Sequence, residues 1–276
     1  MNELVLQVER SIHKKYRKAI WRPFIEAVKN YRLISEGDSI AVCISGGKDS
    51  MLMAKLMQAL RRYSEFPFDL QFTVMNPGYS EISLQKVLAN AEMLEIPVTV
   101  FESDIFETVQ KTERSPCYLC ARMRRGHLYS QAKKLGCNKI ALGHHLSDAV
   151  ETTLMGMLFG GRYDVMMPKL RSKNFPGMEL IRPMYCIEED AVTAWQRYNN
   201  LSFIACACPL SENCNIYDAG GGGSKRLEVK ALIRGLKRDN KNVERSIMQS
   251  LQMINLETTI GYKLHGREFS FLDDWD

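Results

Sequence analysis

Ser45-Gly46-Gly47-Lys48-Asp49-Ser50 joins an apolar run, Ile40-Ala41-Val42-Cys43-Ile44, to a helix-forming run, Met51-Leu52-Met53-Ala54. A strand that ends in two glycines and opens into a helix is a phosphate site. The glycines let backbone amides close on an anion, and the helix start adds unpaired N–H groups and a positive dipole end. Lys48 brings a mobile cation, and Asp49 a carboxylate suited to Mg²⁺. No glycine stands four residues ahead of a Gly-Lys-Ser/Thr, so this is not a Walker A loop. The dinucleotide pattern Gly-x-Gly-x-x-Gly is also missing here. An ordinary Gly-Gly turn beside a solvated Lys-Asp pair is the plain alternative.

The flanking pattern predicts the fold class. Strands are expected at 39–44, 69–75, 97–101, 138–142 and 179–182, and helices at 49–63, 81–95, 121–135, 146–159 and 188–199. Strands alternating with helices indicate an α/β fold, a doubly wound and mostly parallel sheet covered on both faces. Ligands in such sheets sit beyond the carboxyl ends of the strands, where the 45–50 loop lies. Residues 1–35 read as a basic helical segment, 36–204 as the nucleotide-binding α/β domain, and 205–276 as a cysteine- and glycine-rich loop followed by basic helices. Gly220-Gly221-Gly222-Gly223 reads as a connector by composition.

A second mouth is expected at Leu142-Gly143-His144-His145-Leu146-Ser147-Asp148-Ala149-Val150-Glu151-Thr152. Leu146, Ala149, Val150, Leu154, Met157 and Leu158 recur at helical spacing as an apolar face. Asp148, Glu151 and Thr152, three and four apart, share a polar face. Gly143 and His144 then stand at the helix mouth, where a glycine admits a nucleotide closely and a histidine donates to phosphate or ribose.

The chain has 276 residues, and its 45% apolar and 25% charged composition is that of a globular protein able to bury a sizeable core. No run approaches the ~18 apolar residues of a spanning helix, and the N-terminus lacks a secretory pattern. The expectation is a cytoplasmic protein without membrane association. The net charge of +5 is modest but clustered. Lys14, Lys15, Arg17, Lys18 and Arg22 crowd the start; Arg122, Arg124 and Arg125 follow a cysteine pair; Lys225, Arg226, Lys230, Arg234, Lys237 and Arg238 crowd a late helix. Clustered cations fit a polyanion, RNA above all beside a phosphate-binding loop, and solvated helix faces are the alternative.

Cys43, Cys137 and Cys186 read as small core residues. Cys117 and Cys120, with Cys206, Cys208 and Cys214, form a separate group. Two cysteines two residues apart bind a metal or cycle as a redox pair. Four sulfurs suit structural Zn²⁺, whereas three sulfurs with an open iron suit a [4Fe–4S] cluster, and spacing alone leaves these open. Cys206, after the apolar run Leu201-Ser202-Phe203-Ile204, is the preferred third ligand; Cys208 is the alternative.

The string SGGKDS resembles the loop of PP-loop enzymes, which split ATP between the α- and β-phosphates, and the Gly143–Thr152 string resembles their second stretch. With Pro116-Cys117-Tyr118-Leu119-Cys120-Ala121-Arg122-Met123-Arg124-Arg125-Gly126 and Ile181-Arg182-Pro183, the chain resembles the tRNA 2-thiocytidine synthetase family over most of residues 15–250. The resemblance implies ATP, Mg²⁺ and a [4Fe–4S] cluster as cofactors. It also implies tRNA as substrate, a sulfur donor such as a cysteine desulfurase, and a homodimer. It places the cluster on Cys117, Cys120 and Cys206, and the nucleotide on Ser45, Gly46, Gly47, Lys48, Asp49, Ser50, Gly143, His144 and Asp148. Lys48 would touch phosphate and Asp49 the magnesium, while Arg122, Arg124 and Arg125 would hold RNA phosphates. The chain departs from family habit at Cys206-Ala207-Cys208 and at Ser147-Asp148. Two other readings are an amine-joining PP-loop synthetase with structural zinc and a non-catalytic nucleotide or metal sensor.

Overall fold

The computed structural model describes residues 2–110, 116–204 and 225–275, for 107, 109, 110, 116–118, 121 and 274 by backbone alone. Cys206, Cys208, Cys214 and the Gly220–Gly223 run lie outside the described residues. The sheet begins at β1 (Ser39–Ile44), whose residues after the first are all buried. It continues with β2 (Asp69–Asn76), β3 (Val98–Glu102), β4 (Lys139–Ala141), β5 (Lys169–Arg171) and β6 (Glu179–Ile181). Their spatial order is β3-β2-β1-β4-β6-β5; every pairing is parallel except β5 with β6. The chain runs from β1 outward to β3, then returns to place β4 on the other side of β1. The strand order therefore reverses between β1 and β4, the crevice where such sheets bind ligands.

Alternation along β1 explains the two covered faces, because successive side chains point to opposite sides. Ile40, Val42 and Ile44 face the larger core, which includes Met51, Leu52 and Leu56 of α3 (Lys48–Tyr63) and the fully buried Phe24 and Trp195. Ala41 and Cys43 face a smaller core with Tyr129 and Ala132 of α6 (Pro116–Lys134). Fully burying a large apolar side chain contributes about 1.5–3 kcal/mol, so β1 is fixed from both sides.

The N-terminal segment forms α1 (Glu3–His13), a short π-helical stretch over Arg17–Trp21, and α2 (Arg22–Asn30). Its Val8, Ile12, Ile20 and Phe24 join the larger core. The remaining helices are α4 (Glu81–Met93), α5 (Ile105–Gln110), α7 (Leu146–Gly160), α8 (Glu189–Tyr198), α9 (Lys225–Asp239) and α10 (Val243–Gln252). The strand and helix bounds expected from sequence hold to within about two residues, apart from α6, which starts five residues early at Pro116. Proline at a helix start loses nothing, since its missing N–H would be unpaired there anyway. Cys117 and Cys120 consequently sit on the helix rather than before it.

Several short elements among the described residues went unread. β5 is a three-residue edge strand without an apolar pattern, α5 is six residues long, and a hairpin pairs β7 (Gly261–Leu264) with β8 (Arg267–Ser270). Met157 and Leu158, expected on the apolar face of α7, are exposed near its end. Among the described residues no helix is long and apolar enough to cross a membrane.

Candidate functional site

The loop after β1 and the loop after β4 touch. Gly143 lies so close to the start of α3 that an added Cβ would stand 3.2 Å from Asp49 C and from Ser50 N. Gly46 turns the chain with φ +85° and packs against Val87 and Ile204. Ser50 braces the loop: the Ser45 backbone N–H donates to its Oγ at 3.1 Å, and that Oγ–H donates to Gly47 O at 2.9 Å.

His145, 3% exposed, caps α7. Its Nδ1 accepts from the Asp148 N–H at 3.3 Å, while the His145 N–H donates to Asp148 Oδ2 at 3.1 Å. The capping bond assigns the imidazole proton to Nε2, which lies 3.7 Å from Asp49 Oδ1. Two mouths are thus fused into one structure, a cap on α7 leaning on the first turn of α3.

Between them opens a cavity of about 570 Å³, of the size that holds a nucleotide. Its wall includes Ser45, Asp49, Ser50, Gly143, His144 and Asp148, so six of the nine expected nucleotide residues are brought together. Arg124, Arg125, Arg182 and Arg226 also face it, with Cys43, Met75, Leu128 and Leu142 as an apolar floor.

Burial and the Arg182 cation push His144 down to about 4, so its ring is neutral at ordinary pH. Its Nδ1 is buried without a partner. Burial alone would raise Asp148, but His145, His144 and Arg226 hold it below the usual carboxylate range.

Lys48 does not line the cavity. Its ammonium bridges Asp49 at 3.2 Å and Glu189 of α8 at 3.1 Å. Burial opposes its charge, yet these two carboxylates raise its pKa. Glu189 in turn meets Lys230 at 2.8 Å, and against the effect of burial Lys230 and Lys48 hold it down to about 2. Arg226 reaches Asp148 at 3.1 Å and Thr152 at 3.2 Å, and the buried Glu151 at 3.5 Å. The predicted polar face of α7 therefore exists, and it is covered by α9.

That contact changes the reading of the late basic cluster. Arg226 and Lys230 neutralise α7 and α8 carboxylates, and Lys237 pairs with Glu188, Asp190 and Glu244. Half of the six cations thus serve packing; Arg234 and Arg238 stay exposed. Sequence reasoning missed Glu189, although the acidic run Glu188-Glu189-Asp190 at a helix start was a usable signal. It quoted Arg182 only as part of a likeness.

On α6, Cys120 is 8% exposed and packs with Met75, Ile105 and Phe106. It lies one helical turn before Arg124 and two before Leu128, both of which face the cavity. Cys117 is placed on the first turn of α6 by its backbone. Arg122 is exposed and does not line the cavity. Among the described residues no three metal-ligating side chains meet. Burial pushes the Cys43 thiol up to about 12 and the Cys186 thiol to about 11, consistent with inert core residues.

Residues 10–210 match the PP-loop domain family. The chain is 34% identical to a tRNA-cytidine(32) 2-sulfurtransferase of Geobacter metallireducens, covering 86% of this chain and 90% of that protein. It is 36% identical to the enzyme of the same description from Paracidovorax citrulli, covering 75% of this chain and 67% of that one. Among solved structures, the U34-tRNA thiolase NcsA of Methanococcus maripaludis, determined with its [4Fe–4S] cluster, superposes with a TM-score of 0.63. That match covers 87% of this chain and 81% of NcsA at 22% identity, and it bears on the fold alone.

Proposed function

Because the chain belongs to the PP-loop family of ATP-dependent tRNA 2-thiocytidine synthetases, we propose that it activates the C2 oxygen of a tRNA cytidine with ATP and replaces that oxygen by sulfur. The observation that carries this reading is the joining of the two mouths at the β1/β4 reversal, over an arginine-walled cavity.

The α3 N-terminus and the Gly46-Gly47 amides suit the phosphates of Mg-ATP. Asp49, whose Oδ1 already stands 3.2 Å from the Lys48 ammonium, is the carboxylate at this turn that would hold the magnesium ion. Lys48 is poised at the same turn, where a phosphate competes with Asp49 and Glu189 for its ammonium. The C2 oxygen attacks the α-phosphorus, the bond to the β-phosphate oxygen breaks, and pyrophosphate leaves. Charge builds on the phosphoryl oxygens in that step, and fixed cations and amides there lower its barrier. A sulfur nucleophile then attacks C2, and AMP departs with the original oxygen.

A [4Fe–4S] cluster fits the donor set. Cys120 is a buried thiol packed behind Met75 of the cavity wall, Cys117 sits three residues earlier on the same helix, and Cys206, with Cys208 as the alternative, is proposed as the third ligand. A bound cluster would supply the sulfur nucleophile at its open iron. RNA phosphates fall to the exposed Arg122 and to Arg125, which is exposed where it lines the cavity, with the exposed Lys14, Lys15, Arg17 and Lys18 as a second contact. A cysteine desulfurase would be the source of sulfur, and a homodimer is the proposed assembly.

Two measurements test the proposal. Mass spectrometry of tRNA nucleosides from cells lacking the protein should show loss of 2-thiocytidine; an unchanged profile refutes the tRNA assignment. Anaerobically prepared protein should carry iron and acid-labile sulfide that Cys120→Ser removes, whereas zinc without iron refutes the cluster.

A further inference from the structure

Three cations are buried among the described residues, and two of them are neutralised within the protein. Lys55, 2% exposed, meets Glu9 at 3.2 Å. Lys139, 4% exposed, meets Asp38 at 2.6 Å. Arg182, 6% exposed, forms no ion pair with a carboxylate among the described residues, and Asp148 on the same cavity wall acts on it only from beyond contact. It spends one N–H on Met167 O, and its Nε is buried without an acceptor.

A buried guanidinium left unpaired costs several kcal/mol, so an unpaired one persists where something else supplies the anion. Arg182 follows β6 at the carboxyl edge of the sheet and lines the same cavity as Ser45 and Asp49. Its neighbour His144 presents a second orphan, the buried Nδ1. A neutral imidazole can donate there, and Arg182 itself stays charged although burial pulls it down to about 10.

Resting on the ATP reading above, we propose that Arg182 is an anion anchor deep in the cavity that binds a phosphate group of the nucleotide, with His144 as an adjacent donor. Depth selects the nucleotide over RNA. A base swung into the cavity leaves its backbone phosphates outside, within reach of the exposed Arg122 and Arg125 but not of a residue buried like Arg182. The planar fork of arginine also offers two parallel N–H groups to a phosphate, which a lysine cannot reproduce.

The test measures equilibrium binding of ATP, AMP, pyrophosphate and adenosine to the full-length, cluster-loaded protein and to Arg182→Met and Arg182→Lys, with bulk tRNA binding in parallel. Arg182→Met should weaken ATP by at least about tenfold and leave adenosine and tRNA unchanged. Arg182→Lys should fall between, and the AMP and pyrophosphate arms report which end of the triphosphate is held. ATP binding within twofold of wild type in Arg182→Met overturns the assignment, as does a loss confined to tRNA. If the wild-type protein itself fails to bind ATP, the nucleotide reading fails instead.

Where Arg182→Met does not fold, the wild-type protein and the conservative Arg182→Lys variant give the answer through their arginine Nε–H resonances. The buried Arg182 signal, identified by its absence in Arg182→Lys, should shift on adding ATP. A signal indifferent to saturating ATP also overturns the proposal.

Discussion

Replacing Gly46 by alanine should damage stability and nucleotide binding together, and the structure gives the size of each part. The residue sits at φ +85°, where a Cβ costs about 1–2 kcal/mol. The new methyl would also stand 2.5 Å from Val87 Cγ2 and 2.7 Å from Ile204 Cδ1. Ile204 can swing its terminal methyl away, but Val87 is fully buried on α4 and cannot, so overpacking adds about 1–3 kcal/mol. The sum is a loss of about 2–5 kcal/mol. Gly136, at φ +73° with nothing within 4 Å, isolates the backbone part, and Gly136→Ala should cost only about 1–2 kcal/mol. Gly126 on α6 has open space and ordinary backbone, so Gly126→Ala should be neutral or stabilising by up to about 1 kcal/mol. Urea unfolding of the three variants, followed by far-UV circular dichroism, reads this order directly. A fluorescent ATP analogue should bind Gly46→Ala at least tenfold more weakly while Gly136→Ala binds as wild type, since only the first displaces the phosphate amides. Gly46→Ala with the stability of Gly136→Ala and undiminished ATP affinity would refute the reasoning, because neither the tight contact nor the phosphate role would then be real.

His144 is neutral when folded, titrating near 4 against 6.5 when unfolded, so stability should be complete above pH 6.5 and fall as the pH drops towards 4. His144→Asn should flatten that slope in urea melts taken across the range; an unchanged slope rules His144 out as its source. Burial works against ionisation of Asp38, but Lys139, Asn138 and the Ser35 N–H hold its pKa below the usual carboxylate range. Its stabilisation is present above about pH 4 and is lost as the pH falls through the lower, folded value. Asp38→Asn, which leaves the buried Lys139 with Glu179 at 3.4 Å as its carboxylate partner, should cost about 1–3 kcal/mol at pH 7 without altering ATP binding. A loss below 1 kcal/mol in chemical denaturation would show that the pair is not buried as described.

What the sequence made legible was local, and what it hid was pairing. The β1–loop–α3 unit could be read because three cues agree there: an all-apolar strand, two glycines and an amphipathic helix start. The second mouth was readable for the same reason, with His145 and Asp148 three apart as a helix cap requires. The start of α6 was misplaced because Pro116 reads as a break when it is in fact a first-turn residue. The late basic helix was misread more deeply. Lys225 through Arg238 look like one RNA-facing run, yet Arg226, Lys230 and Lys237 are matched to Asp148, Glu189 and Glu188, some 40–80 residues earlier in the chain. Charge type is written in the sequence, whereas charge balance depends on which helices meet. Arg182 is the sharpest instance. Nothing in Ile181-Arg182-Pro183 distinguishes it from any other cation, and only the sheet, by bringing β6 beside β4, shows a buried positive charge turned towards an open cavity without an ion pair among the described residues.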